Sequence, residues 1–409
     1  MSKLDELIRV FCPDGVEYKT LGEIATDIYR GFGIKREQVK KTGIPCVRYG
    51  EIYTTYGVWF DKCVSHTDKG LIATPKYFEH GDILFTITGE SVEDIAKSCA
   101  YTGHEKCLAG GDIVVLKHTQ DPKYLSYALS TLDARKQKSA GKVKSKVVHS
   151  SVPSIKAIRI PLPPLPVQQE IVRILDSFTE LTAELTAELT ARRKQYEYYR
   201  DELLEHPNNS KKYTLGEITE FVRNGYNYKA DGDRSKTYKI SRIETISTGA
   251  INMEKVGSSE EINERYLMQE GDILFSHINS LPYLGNVAYY SENLGTLYHG
   301  MNLLCFRSKE DIVKPKYLYY LLRSSIIRAN VKRYAKQSCN QYSLTTSDIK
   351  AWSILLPPIS EQIRIISVLD HFDTICSDLT SGLPAEIAAR QKQYEYYRDK
   401  LLTFKELEA

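Results

Sequence analysis

The sequence predicts an α+β protein made twice over. Two similar α/β modules are separated by two long helices that pair as an antiparallel coiled coil, with a pseudo-twofold internal repeat. Three observations predict this. First, Ala191–Leu204 (ARRKQYEYYRDELL) and Ala389–Leu402 (ARQKQYEYYRDKLL) are identical at twelve of fourteen positions, a match that implies duplication. Second, shorter echoes keep the same order: Thr20–Ile24 returns as Thr214–Ile218 (TLGEI), Gly81–Phe85 as Gly271–Phe275 (GDILF), and Pro122–Leu125 as Pro315–Leu318 (PKYL). Third, each half passes from strand-like runs to a Pro-Pro pair, Pro163-Pro164 or Pro357-Pro358, and then to a segment with helical period.

The first module is expected over residues 1–166. Pro45–Tyr49, Gly81–Ile87 and Gly111–Lys117 read as strands with turn residues between them. Asp121 and Pro122 read as an N-cap and first helical residue, opening an amphipathic helix through Tyr124, Leu125, Ala128, Leu129 and Leu132. Ile158–Leu162 is a last strand, stopped by Pro161, Pro163, Pro164 and Pro166.

A long helix follows over 167–206. Its apolar stripe runs through Ile171, Ile174, Phe178, Leu181, Leu185, Leu189, Tyr196, Tyr199 and Leu203. About 38 residues make a rod of roughly 57 Å, longer than one small module can cover. The second module is expected over 207–358 and the second helix over 359–409, with Ile365, Val368, Phe372, Ile375, Leu379, Ile387, Tyr394, Tyr397 and Leu401 as the matching stripe. The first helix carries the tandem Thr182–Leu185 and Thr186–Leu189 (TAEL), whose leucines drift across the face. The second carries Ser381–Pro384 (SGLP), where a kink or break is expected.

Composition narrows the class. The chain has 409 residues, 42% of them hydrophobic and 26% charged, with a net charge of +3, which suits two or three globular domains and neither requires nor excludes a polyanionic partner. Apolar runs are too short for a membrane span, and the opening MSKLDELIRV is not a signal peptide. The eight cysteines form no Cys-x-x-Cys pair, so reduced thiols in the cytoplasm are expected.

A search for catalysis finds little. The Pro-Pro pairs are followed by Leu165 and Ile359, not by the aromatic of an adenine methyltransferase. Neither a P-loop nor a glycine-rich cofactor cradle is present. Pro13–Lys19 (PDGVEYK) has the letters of a metal-dependent nuclease core, but they are too close together to occupy neighbouring strands. The histidines show no metal-binding pair. No catalytic residue, metal or cofactor is expected.

Aligning the halves is more informative. Lys142–Lys146 faces Lys336–Asn340, Val147–His149 faces Gln341–Ser343, and Thr86–Glu90 faces Ser276–Ser280. The frame matches around these segments and the polar residues within them differ, as in two readers of two targets. Such side chains hydrogen-bond base edges or hold phosphates. The candidates are Thr88, Glu90, Lys142, Lys144 and Lys146 in the first half, and His277, Asn279, Lys336, Gln337, Asn340, Gln341 and Tyr342 in the second. Basic clusters beside them, Arg135, Lys136 and Lys138 in one half and Arg328, Lys332 and Arg333 in the other, would hold phosphates.

With the repeat, the segments Leu162–Gln168 and Leu356–Gln362, and the tails Gln195–Asp201 and Gln393–Asp399 (QYEYYRD), the whole chain resembles the specificity subunit of a type I restriction–modification enzyme. The resemblance implies two target-recognition domains, each reading one half of a split double-stranded DNA site, and paired helices acting as a ruler. It implies partners too: two methyltransferase subunits and two motor-endonuclease subunits, which supply the catalysis. Tyr198, Arg200, Tyr396 and Arg398 lie in the shared tails and are the candidates for methyltransferase docking. The alternative is a coiled-coil scaffold whose modules bind protein or glycan.

Overall fold

The computed structural model describes residues 2–140, 147–205, 207, 209–227, 238–246, 250–338, 341–377 and 382–407. The chain folds as two compact units, Met1–Leu185 with Ile387–Ala409, and Thr186–Glu386. The division does not follow the sequence halves, because each unit includes the end of the other half's helical segment.

In the first unit, among the described residues, a five-stranded sheet has the order Asp27–Arg30, Ile113–Lys117, Ile83–Thr86, Ser98–Tyr101, Trp59–Phe60. Ile83–Thr86 and Ile113–Lys117 are buried at nearly every position, which explains why they read as continuous apolar runs rather than alternating ones. A four-stranded sheet orders Ser65–Thr67, Ile44–Val47, Cys107–Ala109 and Tyr77–Phe78. Asp121 caps the helix Pro122–Ser130 by accepting from the Tyr124 N–H. That helix ends two residues before the last position of its apolar pattern. Thr131 caps a new helix, Leu132–Ser139, and turns Leu132 out to 56% exposure.

The second unit repeats the theme on a smaller scale. Among its described residues, a four-stranded antiparallel sheet orders Thr219–Asn224, Leu303–Ser308, Ile273–Ser276 and Val287–Tyr289. Helix Pro315–Leu322 again begins with proline. The TLGEI echo has the same structural cause in both units. Thr20 and Thr214 each form a capping box with a glutamate three residues on, Glu23 and Glu217, at the head of a one-turn helix.

The helix Leu165–Glu205 runs unbroken for 41 residues. Val167, Ile171 and Leu175 are buried in the core of the first unit, and Tyr196 and Leu204 in that of the second. The C-terminal segment does the converse. Ile365 and Leu369 of helix Ile359–Ser377 join the second core, while Tyr394 and Leu402, at the end of helix Leu383–Leu401, join the first. Phe178 stacks on Tyr397 at 5.5 Å within the first unit, and Phe372 on Tyr199 at 6.0 Å within the second. Each large apolar side chain so buried contributes roughly 1.5–3 kcal/mol, so the main core of each unit depends on both helical segments. The expected break at Ser381–Pro384 is present: one helix ends at Ser377 and the next begins at Leu383, with residues 378–381 between them outside the described residues. Pro384 falls in the first turn of the last helix, where its missing N–H costs nothing.

Candidate nucleic-acid interface

The diverged segments meet at one end of each main sheet. In the first unit the chain leaves Ile83–Thr86 and pairs Thr88–Gly89 with Val148–His149, setting Thr88 opposite His149 with Oγ1 and Nδ1 3.5 Å apart. Thr88 is half-buried, and Glu90 and His149 are exposed. Lys142, Lys144 and Lys146, in the segment leading into this ribbon, lie outside the described residues.

In the second unit Ile278–Asn279 follows Ile273–Ser276 and pairs with Gln341–Ser343, which pairs in turn with Lys336–Ser338. The register sets Asn279, Tyr342 and Gln337 in one row, so the structure brings together residues drawn from two distant segments. Strand alternation sends Lys336 and Gln341 to the opposite face, and Lys336, Gln337 and Gln341 are exposed. Asn340 lies outside the described residues.

Other candidates turn out differently. His277 is only 6% exposed, and burial pushes its imidazole down to about 4, so it is an interior, neutral group and not a surface contact. Asn279 already uses its amide locally, donating to Ser276 Oγ at 3.2 Å and accepting from the Ser280 N–H at 2.8 Å. Lys138 is buried, with Nζ donating to the Leu129 carbonyl, and Arg328 donates to the Leu284 carbonyl. Both are framework groups and not free phosphate holders. Arg200 and Arg398 are buried too, each paired with the aspartate that follows it. The docking candidates that present surface are therefore Tyr198 and Tyr396, 64% and 62% exposed.

Two features were missed from sequence. His149 enters the ribbon only through its register with Thr88. The other is a glycine crossing beside each ribbon. A Cβ on Gly31 would lie 2.2 Å from the Gly110 carbonyl oxygen, and one on Gly225 would lie 2.2 Å from that of Gly300. The signal was present as an aromatic after each glycine, Phe32 and Tyr226, at matching places in the two halves.

A family model described as the type I restriction modification DNA specificity domain matches residues 13–192 and again 207–389. A putative type I restriction enzyme MjaX specificity subunit of Methanocaldococcus jannaschii is 39% identical over 194 residues, 46% of this chain and 45% of that relative, so this alignment spans about half the relative's length. A type I restriction enzyme specificity subunit of Escherichia coli is 35% identical over 298 residues, 69% of this chain and 70% of its own. A chain from a solved structure titled for complex assembly and conformational transition of the type I R-M system matches with a TM-score of 0.61 at 17% identity, covering 95% of this chain and 98% of that one, which bears on fold alone. Matched twice by the family model, once over each half, this chain belongs to the type I restriction–modification specificity subunits.

Proposed function

We propose that this chain reads a bipartite double-stranded DNA site, one half-site per module, and directs methylation and cleavage performed by partner subunits while carrying no catalytic residue itself. One observation carries the reading. Polar ribbons stand at corresponding ends of the two main sheets, on like scaffolds, and their residues differ. Amide and hydroxyl side chains on a ribbon are suited to base edges in the major groove, and the lysines at 142, 144 and 146 to phosphates.

In this reading residues 1–166 and 207–358 are the two target-recognition domains. Residues 167–206 and 359–409 form the antiparallel coiled coil between them, related by a pseudo-twofold axis. The exchange of helix ends between the cores supports it, since Tyr196 and Tyr394 take equivalent places in opposite units. Two methyltransferase subunits dock on the shared tails through Tyr198 and Tyr396, and two motor-endonuclease subunits complete the assembly.

The test is to produce the chain with its methyltransferase, map methylated bases across the genome, and measure binding to a duplex carrying the mapped site. Gln341→Ala is expected to relax one half-site only, costing about 1–3 kcal/mol for a lost base contact. Lys144→Ala is expected to weaken all sequences alike and flatten the salt dependence. A wild-type chain that shows no salt-sensitive duplex binding rejects the reading.

A further inference from the structure

We propose that Phe32 and Tyr49 are specificity-determining residues of the first module, pressing on bases of its half-site as an apolar complement to the polar ribbon. The inference rests on the DNA-reading function above and extends it to residues that the polar pattern does not reveal.

The geometry begins at the glycine crossing. The chain leaves strand Asp27–Arg30 and passes so close to Gly110 that only glycine fits at position 31. The Gly31 N–H donates to the Ile113 carbonyl at 2.8 Å and the Phe32 N–H to the Ala109 carbonyl at 3.0 Å, so the backbone leading into Phe32 Cα is held while the residue is left 39% exposed. Tyr49, at the head of helix Tyr49–Thr54, is also 39% exposed and lines the same open cleft, with Arg30 and Arg48 beside it. Two large rings that share one open cleft form a local apolar patch rimmed by charged groups, the kind of surface that serves contact.

Their position ties them to the ribbon. Arg30 pairs with Asp112 at 2.7 Å. The carbonyl of Asp112 accepts from the Ile87 N–H at 3.0 Å, one residue before Thr88, and the Ile87 carbonyl accepts from Ser150. The aromatic cleft and the Thr88–His149 pair therefore occupy the same sheet end, two or three residues apart.

The second unit repeats the arrangement with different side chains. Gly225 crosses Gly300, the Tyr226 N–H donates to the His299 carbonyl at 2.9 Å, and the Met301 N–H donates to the Tyr226 carbonyl at 2.9 Å. Met301 is 39% exposed, and Leu281 and Tyr283, just beyond Asn279, are 44% and 50% exposed. A hydrophobic surface kept at the ribbon end in both units, but never with the same residues, varies as the ribbons themselves vary. Beside the rings, Arg30 is taken up by Asp112, and Arg48 is the cation of the cleft lining that suits a polyanion. Aromatic and aliphatic side chains beside a groove contact thymine methyl groups or wedge into a base step.

The experiment uses the full chain in complex with its methyltransferase. The probes are a duplex carrying the site mapped by genome-wide methylation and a duplex of equal length lacking it. Phe32→Ala and Tyr49→Ala should each lower affinity for the site duplex about tenfold or more and leave affinity for the other duplex unchanged. Methylation maps should show one or two positions of a single half-site becoming degenerate. Phe32→Leu, which keeps bulk on the same backbone, should retain part of the preference, and thermal melting checks that each variant is folded. Equal loss on both duplexes, no loss on either, or loss of methyltransferase from the complex with site preference intact would each overturn the assignment. If the wild-type complex binds the two duplexes equally, the DNA-reading function itself fails, an outcome distinct from failure of the variants alone.

Discussion

Gln168 accepts a hydrogen bond at 3.1 Å from the backbone N–H of Asp121, the residue that caps helix Pro122–Ser130. Its amide nitrogen donates to the Pro163 carbonyl at 2.7 Å and to Gln120 Oε1 at 2.9 Å, all with the side chain fully buried. Gln362 makes the corresponding set in the second unit, to Lys314, Ile312 and Pro357. One buried amide thus joins the first turn of each long helical segment to its module. Gln168→Leu should leave buried backbone groups unpaired, at about 1–3 kcal/mol each, and lower the melting temperature by several degrees, about 2–4 °C per kcal/mol. Calorimetry should show a similar loss for Gln362→Leu. A melting curve unmoved by either change would show that the joints are held by apolar packing alone.

The tyrosine tails separate surface from framework. Arg200 holds Asp201 at 2.9 Å, and Asp201 accepts from the Ser325 N–H at 3.1 Å, tying the helix end to its module. Tyr198 points to solvent on the same turn. Replacing Tyr198 and Tyr396 together with alanine should release methyltransferase subunits in a pull-down without shifting the melting temperature. Arg200→Ala should lower it by a few degrees, because the half-buried Asp201 carboxylate loses its charged donor and keeps the Ser325 N–H alone. Retained stoichiometry in the double variant would move the docking surface elsewhere.

Lys138 gives the first unit a pH dependence. Its Nζ is buried against Ser98 Oγ and the Leu129 carbonyl, near Arg135 and Cys99. Burial first, then Arg135, pushes the ammonium down to about 7, against about 10.4 in an unfolded chain. Between those values the unfolded chain holds a proton that the folded chain lacks, so this residue makes stability rise with pH. Below about 7 the whole cost of burying the charge is present. Lys138→Met removes the titration, so it should be most favourable relative to wild type near pH 6 and progressively less so towards pH 9.5, followed by thermal melting. A difference that stays flat across that range would mean Lys138 does not change protonation on folding.

How much of this was legible follows from which forces are local. The TLGEI echo, which the sequence shows only as a repeat, proves to be a capping box. Asp121-Pro122 and the strand at Gly81–Phe85 are written in nearest-neighbour chemistry, a capping carboxylate and an apolar run, and they fold as read. Leu132 did not, because Thr131 offered a cap that outweighed one more apolar residue on the helix face. His277 and Arg200 were read as surface groups because a polar letter carries no sign of burial. Their fate depends on strands and helices far away in sequence. The row of Asn279, Tyr342 and Gln337 was foreseen as a group because comparing the halves supplied long-range information. The crossing of Gly31 over Gly110 was not foreseen, since two glycines 79 positions apart reveal their contact only in three dimensions.

The tandem Thr182–Leu189 lies inside an unbroken helix, and no side chain between Leu175 and Tyr196 is fully buried. Leu185 and Leu189 are half-buried and the threonines and glutamates face outward or to the flank. Added turns here change length and leave the buried anchors Leu175 and Tyr196 outside the repeat, with Leu189 the repeat residue that packs against the second core. One further Thr-Ala-Glu-Leu unit adds about 6 Å and about 400°, a net turn of roughly 40°. Base pairs rise about 3.4 Å, so a helix running along the duplex should change its reach by about one or two base pairs. Inserting the unit after Leu189 is therefore expected to lengthen the unread spacer by that amount while both half-sites stay the same. The chain should still fold, because a leucine returns near the stripe every four residues. Methylation maps from cells carrying each version decide the matter. Altered half-sites, or a spacer that keeps its length, would mean that the helix holds the modules without measuring the distance between their targets.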